Sequence, residues 1–423
     1  MKKIFLLLGS ILWFSLLIAH ESPEADSTTT ETENKKTRFW DRFSLSGYGA
    51  VNYYHYKWET LPDKRDALDP ERLNLYLKYR FNDKIELKTE VEFEHGGTGS
   101  TMEFDPLEEF GEFEKEIETG GEVSLEQLNI LFKIKKAFQI RIGKIKVYAG
   151  NTSKLDRPTQ YFTPYRPELE NSILPLGWYE LGIDIEGDIA LKKDQEYPKL
   201  AYKAYLVSGL DNTGFSSLNW IKLGYQTRFE MVNANSPAMA GRLDYIFRKN
   251  SEVGFTIYAN NASPNRPKND FQTKSWVVYT DAHFTYDKGP WRVNALGLFG
   301  HIQNSEALSR ANKNLSNNLD VKRTPVGKMA AGASLEAGYD FFSLMKKETK
   351  QTLFLFSRAE WYDTMLKTQG NIFNNPKYQR QIYTAGINYS PIPQIIFKAS
   401  YAYRILGTHQ KEKTFAMGFG FSF

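Results

Sequence analysis

The 423-residue sequence has no cysteine, only six histidines and, beyond its first 20 residues, no long apolar run. Without cysteine there is no disulfide framework, no thiolate metal site, no thiol nucleophile and no lipid attached through a cysteine. A helix that spans a membrane needs about 20 consecutive apolar residues, and the mean hydropathy of −0.50 is too polar for a helical membrane protein. The sequence has 54 Lys and Arg and 50 Asp and Glu, so neither sign of charge predominates. This balance argues against nucleic acid as a partner.

The one apolar run lies at the N-terminus, where Lys2 and Lys3 precede residues 4–18. Two lysines before a short apolar run predict a secretory signal peptide over residues 1–20, and a retained anchor helix is the alternative. Its removal leaves 52 basic against 50 acidic residues. Residues 21–38 are polar and rich in Thr, which is typical of a disordered leader. Residues 39–423 are predicted to form one barrel domain.

The C-terminal segment 413–423 reads KTFAMGFGFSF and places a large apolar residue at every second position. A period of two indicates a β-strand with one apolar face. A final strand that ends in Phe resembles the assembly signal of bacterial outer-membrane barrels. We therefore expect the barrel assembly machinery to recognise Phe423, the alternative being the last strand of an ordinary β-sandwich.

The rest of the chain repeats strand, turn, strand and loop with regular spacing. Sixteen strands are predicted, joined alternately by short turns such as 82–83, 249–250 and 287–290 and by long polar loops such as 150–176 and 209–239. Short turns on one rim and long loops on the other are typical of a transmembrane β-barrel. The predicted fold class is an all-β, antiparallel, up-and-down transmembrane barrel of 16 strands, with 18 as the alternative.

Apolar and charged residues alternate within these strands. The sixth predicted strand, for example, assigns Tyr179 and Leu181 to lipid and Glu180 and Asp184 to the interior. A soluble core would reject a charge at every second position, whereas a water-filled lumen accepts it. The residues predicted to line the pore are Arg72, Lys78, Arg80, Lys88, Arg141, Arg242, Arg292, Lys398, Arg404, Glu90, Glu180 and Asp184. Basic side chains in a pore favour anions, and opposed acidic and basic walls would create a transverse field.

Residues 126–187 carry a family resemblance. The segments EQLNILFKIKKAFQIRIGKIKVYAG and PYRPELENSILPLGWYELGIDIEG, with the Arg141–Lys144 run, Arg166-Pro167 and the Trp178–Gly182 run, resemble the phosphate-selective porin O and P family and related Gram-negative porins. The resemblance implies a homotrimer of 16-stranded channels whose third external loop folds inward. The acidic residues in the same lumen depart from a phosphate-selective pattern, so phosphate is not transferred as the solute.

The loop at 150–176 is the third long loop of the predicted barrel. Its four prolines would stiffen it, and its charged residues Lys154, Arg157, Arg166 and Glu168 are predicted to form the pore constriction. The alternative is an ordinary surface loop. The resulting hypothesis is a porin for passive diffusion of small hydrophilic solutes or ions, and the basic pore-lining residues add a preference for anions to it.

Two further features suggest other functions. Residues 103–122 hold nine acids and one Lys, which indicates either a solvated loop or a cation or lipopolysaccharide contact beside the outer-membrane lipid. Asp281 and His283 share one face of a strand, which fits either a barrel enzyme such as a phospholipase or a hydrogen-bond network in the lumen. A structural or adhesive barrel is the third alternative. No cofactor, metal or catalytic residue is predicted.

Overall fold

We describe the protein from a computed structural model. The structure describes residues 39–96, 103–104, 115–116, 123–151, 153–175, 177–226, 231–315, 323–345 and 350–423. The predicted signal peptide and leader, and most of the acidic segment 103–122, lie outside these residues. None of the described helices is long and apolar enough to cross a bilayer.

Sixteen antiparallel strands form a closed barrel in which neighbours in sequence are neighbours in the wall. The barrel strands are Phe43–Trp58 (β1), Ala67–Arg80 (β2), Ile85–Glu94 (β3), Val123–Lys135 (β6), Phe138–Lys146 (β7), Tyr179–Ala190 (β8), Lys199–Ser208 (β9), Pro237–Arg248 (β10), Ser251–Asn261 (β11), Trp276–Lys288 (β12), Trp291–Ile302 (β13), Met329–Asp340 (β14), Thr352–Lys367 (β15), Gln379–Ile392 (β16), Ile395–Leu406 (β17) and Lys411–Ser422 (β18). The strands Glu103–Phe104 (β4) and Lys115–Glu116 (β5) pair only with each other. The prediction of a closed 16-stranded barrel is confirmed.

Helices are few and lie in the connections. The α-helices are Glu168–Ile173 (α1) and Ser305–Lys313 (α2), and the short 3₁₀ helices are Phe39–Arg42, Asn212–Gly214, Lys222–Gly224, Ser263–Asn265, Phe341–Leu344 and Pro376–Tyr378. The connections divide into short turns on one rim and longer loops on the other, as predicted. Those after β2, β6, β10, β12 and β16 are short turns, whereas the loops on the other rim include residues 147–178 between β7 and β8, called the third loop below.

The two faces of the wall differ as the alternation predicts. Along β18, Phe415, Met417 and Phe419 remain exposed on the outside while Ala416 is fully buried inside. Aromatic rings cluster near the short turns, where Phe43 lies 4.7 Å from Tyr79 and Trp291 lies 4.8 Å from Tyr339 between ring centroids. An apolar outer band with an aromatic girdle is the surface that a bilayer requires of a barrel.

The barrel closes where β1 pairs with β18, from Tyr48 opposite Ser422 to Trp58 opposite Glu412. Gly47 and Phe423 extend this ladder by exchanging backbone hydrogen bonds of 3.0 and 2.9 Å. A Cβ atom at Gly47 would lie 2.7 Å from the Phe423 ring and 2.6 Å from the backbone oxygen of Asn74. The absent side chain of Gly47 therefore makes the room in which Phe423 packs.

The wall bends inward at the end of β7. Pairing of β7 with β6 stops at Lys144, just beyond Gly143, which has a φ of 131°. Beyond this point both faces are covered: Ile145 and Lys146 are buried, and so is Tyr179 in β8. Placing Tyr179 against lipid was wrong, because strict alternation fails where the two strands leave the wall.

Candidate functional site

Charged side chains on the inner wall pair with one another across neighbouring strands. Arg141 reaches Glu186 at 2.6 Å and Asp184 at 3.4 Å, and Arg358 reaches Glu360 at 2.8 Å and Glu336 at 3.1 Å. Separate acidic and basic walls, with the transverse field expected from them, do not describe this interior. These charges form local ion pairs in which each charge is offset over a short distance.

The third loop enters the barrel directly after β7. The backbone N–H of Gly150 donates to Asp281 Oδ2 on β12 at 2.9 Å, and Arg242 Nη1 on β10 donates to the Gly150 carbonyl at 2.8 Å. Asn151 then donates to the Ala295 carbonyl on β13 at 3.0 Å. The start of the loop is thus fixed to the wall opposite β2 and β3.

A buried ion cluster holds the middle of the loop. The carboxylate of Asp156 accepts from Arg72 on β2 at 3.2 Å, from Lys146 at 2.6 Å and from Arg166 in the loop itself. Burial raises the pKa of the Asp156 carboxyl, but Lys146 and Arg72 lower it by more, so the pKa lies below its usual range. One carboxylate therefore ties the wall and both arms of the loop together.

The tip of the loop reaches β15 and β17. Lys398 Nζ donates to the carbonyls of Tyr161 at 2.7 Å and Thr163 at 2.9 Å, and Arg358 Nη1 donates to Thr163 Oγ1 at 3.0 Å. The ring of Phe162 stacks on Phe356 with 4.9 Å between the centroids. Both polar and apolar contacts therefore seat the tip on the inner wall.

Helix α1 completes the seating of the loop. Glu168 accepts from Arg404 Nε at 3.1 Å and from the Tyr362 hydroxyl at 2.7 Å, while the Leu169 N–H donates to Glu360 at 3.0 Å. Burial raises the pKa of the Glu168 carboxyl, yet Arg404 and Arg380 lower it by more, and the pKa lies below its usual range. The loop thus touches strands around most of the barrel and lies across its interior.

Other long loops fill one side of the long-loop mouth. Trp220 is fully buried against Gly300 of β13, where a Cβ atom would lie 1.9 Å from its ring. Arg266 donates to Asn212 and Asn312, each at 2.8 Å, so three loops are joined by one guanidinium. The space that stays open lies on the other side, toward β1 and β16–β18.

Two cavities lie on opposite faces of the third loop. The outer cavity, of about 800 Å³, is bordered by Tyr165 and Arg166 of the loop and by residues of β1, β16, β17 and β18. The inner cavity, of about 250 Å³, is bordered by Lys154 and Gln160 of the loop and by wall residues near the short turns, such as Asp287. The loop separates the two spaces.

The predicted constriction residues occupy different positions. Lys154 and Arg157 are exposed, whereas Arg166 is buried against Asp156 and Glu168 is bound to Arg404. Lys154 nevertheless forms an ion pair with Glu252 on β11. Among these four, Arg157 is therefore the exposed residue for which the described residues show no ion pair.

The predicted pore-lining residues also divide into groups. Arg72, Arg242, Lys398 and Arg404 contact the third loop. Arg141 and Asp184 pair on the wall.

The other predicted pore-lining residues neither contact the loop in this way nor belong to that pair. Lys78 and Arg80 are exposed near the short turns. Lys88 lies 5.3 Å from the centre of the Tyr76 ring, and Arg292 lies 5.5 Å from the centre of the Phe162 ring. Glu90 and Glu180 are buried and accept from neutral groups, Asn74 at 3.0 Å and Trp178 at 3.0 Å.

Several residues of the site were not among those predicted. Lys146 sits at a position that alternation assigns to lipid, and a lysine there was the available signal that the strand leaves the wall. Asp156 is one of several charged residues in the sequence of the third loop, and nothing local distinguishes it from the others. Arg380, in the outer cavity, and Arg358 carried no signal in the sequence that sets them apart from other lumen arginines.

His283 is the centre of a buried network. Its Nδ1 lies 2.7 Å from Asp281 Oδ1 and its Nε2 lies 2.7 Å from Asp244 Oδ1. With both ring nitrogens engaged by carboxylates, the imidazole is not positioned to activate a serine. The ligand atoms of Asp244, Glu252 and His283 lie within 4.8 Å of one another, but the two carboxylates already pair with Arg242 and Lys154. A cation here would have to displace those pairs.

No family model matches the chain. An uncharacterized protein of Aquifex aeolicus (strain VF5) is 27% identical over 363 residues, which cover 85% of this chain and 74% of that protein.

Among solved structures, OmpF of Salmonella typhi in complex with daunomycin is 11% identical with a TM-score of 0.53 and covers 90% of this chain and 97% of its own. The anion-selective porin from Comamonas acidovorans is 9% identical with a TM-score of 0.52 and covers 90% of this chain and 99% of its own. These similarities show the fold of outer-membrane porins. The narrower resemblance to the phosphate-selective porin O and P family is not confirmed.

Proposed function

We propose that this protein is an outer-membrane porin through which small hydrophilic solutes or ions diffuse passively, with the third loop narrowing the pore. The observation that carries the proposal is the position of that loop, which lies across the barrel with a cavity on each face. Sixteen strands enclose enough space for an aqueous channel. A loop anchored by ion pairs on several strands would set the width of that channel.

We further propose a preference for anions. The residues bordering the outer cavity include five Lys or Arg and three Asp or Glu, so its lining carries a positive excess. The residues that border the inner cavity include two basic and two acidic ones, so their charges balance. Charge that is balanced near the short turns and positive on the loop side favours anions at the long-loop mouth.

The experiment is a single-channel recording of the purified, refolded protein in a planar bilayer. Stepwise conductance, with a reversal potential in a KCl gradient that favours chloride, is the expected result. Protein that is folded by circular dichroism and shows no conductance would refute the proposal. A reversal potential favouring potassium would refute only the anion preference.

A sealed structural or adhesive barrel is the second candidate. It is favoured by the apolar contacts that the long loops make inside the mouth, where Trp220, Leu308 and Val326 are fully buried. Such a barrel would give no conductance and no swelling of liposomes in sugar solution, whereas a porin would give both. A barrel hydrolase that uses His283 as its base is disfavoured, because carboxylates engage both ring nitrogens of this histidine.

The cellular setting follows from the same proposal. An outer-membrane location, insertion by the barrel assembly machinery through Phe423, contact with lipid and lipopolysaccharide, and assembly as a homotrimer belong to it. Chemical cross-linking of the detergent-solubilised protein tests the trimer, because a porin of this type should give a three-chain species that is stable to dilution.

A further inference from the structure

Three side chains of the kinds that bind metal ions meet on the inner wall, from three neighbouring strands. Asp244 of β10, Glu252 of β11 and His283 of β12 each offer one ligand atom, and these atoms lie within 4.8 Å of one another. Among the residues that the structure describes, no other three His, Asp or Glu side chains form such a group. One imidazole nitrogen with two carboxylates is a donor set that zinc and other divalent transition metals accept.

The backbone of β11 makes the room in which these side chains meet. Gly254 is paired with Asp244 on one side and with His283 on the other. A Cβ atom at Gly254 would overlap Asp244 Oδ1 and His283 Nε2. The absent side chain is therefore what lets these two ligand atoms lie 2.7 Å apart.

The orientation of the imidazole is fixed through its other nitrogen. His283 Nδ1 lies 2.7 Å from Asp281 Oδ1. The second oxygen of Asp281 accepts from the Tyr279 hydroxyl at 2.7 Å and from the Gly150 N–H at 2.9 Å. Because this carboxylate accepts the proton of Nδ1, the lone pair of a neutral imidazole lies on Nε2, directed at Asp244. Metal-bound histidines commonly have such a carboxylate on the other nitrogen, where it holds the tautomer and the ring.

A positive charge already lies on the open side of this group. The ammonium of Lys154 pairs with Glu252 and lies 3.6 Å from Asp244 Oδ2. Lys154 belongs to the third loop, and its side chain is 37% exposed. Lys154 and Glu252 both border the inner cavity of about 250 Å³. A cation that arrives through this cavity therefore meets a flexible lysine, which can withdraw without a movement of the barrel wall.

The charges of the group match a divalent cation once that lysine has withdrawn. Asp244, Glu252 and Asp281 carry three negative charges, and the cations that pair with them are Arg242 and Lys154. Without the Lys154 ammonium, one guanidinium remains against three carboxylates. The two negative charges left over equal the charge of one divalent metal ion.

Arg242 can remain beside a bound metal. Its Nε contacts both oxygens of Asp244, at 3.1 and 3.0 Å, and its Nη1 donates to the Gly150 carbonyl at 2.8 Å. It can therefore give up one oxygen of Asp244 and keep the other, together with the Gly150 carbonyl. The Nη2 of Arg242 lies 3.5 Å from Glu252 Oε1, a looser contact that leaves Glu252 free to turn toward a metal ion.

We propose that Asp244, Glu252 and His283 bind a divalent transition-metal ion such as Zn²⁺, which enters from the inner cavity and replaces the ammonium of Lys154. Water from the cavity supplies the fourth ligand, as it does where three protein side chains bind zinc. Mg²⁺ and Ca²⁺ prefer oxygen ligands, so the imidazole selects against them. The inference goes beyond the proposed function, because the site holds whether or not the barrel conducts.

The test is calorimetric titration of Zn²⁺ into the refolded, untagged protein in detergent micelles. One zinc ion should bind per chain, and excess Mg²⁺ should not displace it. His283→Gln should weaken binding by about tenfold or more, since the nitrogen ligand is lost. Lys154→Met should tighten binding several-fold, since the competing ammonium is removed. His55→Gln is the matched control, because His55 lies 2.9 Å from Asp66 at the exposed surface, and binding should not change.

A second pair of variants tests the carboxylate behind the imidazole. Asp281→Asn should weaken zinc binding by about tenfold, because Nδ1 loses its charged partner. Asp287→Asn removes an equal charge beside the inner cavity and should leave binding unchanged. Circular dichroism establishes that each variant is folded. Should His283→Gln not fold, Glu252→Gln replaces it and should weaken zinc binding in the same way.

Four results would overturn the inference: no zinc binding by the folded protein; equal binding of Zn²⁺ and Mg²⁺; unchanged binding in His283→Gln or its replacement; or no tighter binding in Lys154→Met. An equal loss in His55→Gln would mean an adventitious surface ion only. The titration involves no ion flow. A silent barrel that binds zinc therefore counts against the porin function alone, and a conducting barrel that binds none counts against this inference alone.

Discussion

Arg72 Nη1 in β2 donates to Asp156 Oδ1 in the third loop at 3.2 Å, although 84 residues separate the two along the chain. Lys146 and Arg166 contact the same carboxylate. Asp156 is thus the carboxylate that three buried cations share, while Arg72 alone also lies 3.8 Å from Glu71 and from Glu92, and much of what the loop does should depend on Asp156.

Replacement of Asp156 by Asn should destabilise the folded barrel. The substitution leaves Arg72, Lys146 and Arg166 buried without their shared counter-charge, which typically costs about 3–5 kcal/mol. The free energy of unfolding in urea, followed by tryptophan fluorescence, measures the loss. Asp83→Asn, at an exposed short turn, is the control and should change the free energy of unfolding by less than about 0.5 kcal/mol. Equal stability of the two variants would contradict the role of the cluster.

The anchoring of the loop should also respond to acid. Since the pKa values of Asp156 and Glu168 lie below their usual range, their stabilisation is complete above the ordinary carboxyl pKa of about 4. It is lost as the pH falls through the lowered values. We expect constant single-channel conductance between pH 5 and pH 8 and larger, noisier conductance near pH 3. Asp156→Asn should show a weaker acid response, and an unchanged response would argue against this origin.

Arg157 and Arg166 should differ when their charges are reversed. Arg157 is exposed on the loop, so Arg157→Glu should shift ion preference toward cations and leave stability unchanged. Arg166→Glu would put a carboxylate beside Asp156 and should lower stability as well. Reversal potentials in a KCl gradient, together with urea unfolding, separate the two effects. Lys192→Glu, on a turn away from the loop, is the control for net charge, and a shift of equal size there would remove Arg157 from the constriction.

Lys398 should hold the loop tip in place. Lys398→Met keeps the length of the side chain but loses the two hydrogen bonds to the Tyr161 and Thr163 carbonyls, worth about 1–3 kcal/mol together. A freer tip should increase single-channel conductance and its fluctuations. Lys411→Met, on an exposed position of β18, should change neither. The same conductance in both variants would show that the tip does not narrow the pore.

Closure of the barrel should be sensitive to Gly47. A methyl group at Gly47 would meet the Phe423 ring and the Asn74 carbonyl, whereas one at Gly297 on the outer wall meets nothing within 4 Å. Gly47→Ala should therefore cost about 1–3 kcal/mol and Gly297→Ala almost nothing. The difference is measured in SDS gels without heating, in which folded barrels migrate faster than unfolded protein. The quantity compared is the fraction of each variant in the faster, folded band. Similar fractions for both variants would mean that the Phe423 contact is dispensable.

The wall of the barrel could be predicted from the sequence because side chains alternate between the two faces of every strand. Arg72 and Leu73 take opposite faces for the same reason that neighbours in any strand do, and turns such as 249–250 mark where each pair of strands reverses. The interior obeys no such rule. Nothing local to Asp156 indicates that Arg72 is its partner, and Lys146 and Tyr179 break the alternation because β7 and β8 leave the sheet. Which carboxylate each inward arginine meets, as Arg404 meets Glu168 of the third loop, depends on how loops from distant parts of the chain pack together.

The ladder between β1 and β18 joins residues more than 350 positions apart. Until that ladder forms, both edge strands expose unpaired backbone groups, and hydrocarbon cannot satisfy them. The loop contacts at Arg358 and Lys398 likewise depend on the last quarter of the chain. A fragment that lacks the final strands should therefore form neither a smaller pore nor a leaky one. Its edge strands would keep unpaired backbone groups, and a partly closed barrel would not be stable in the membrane.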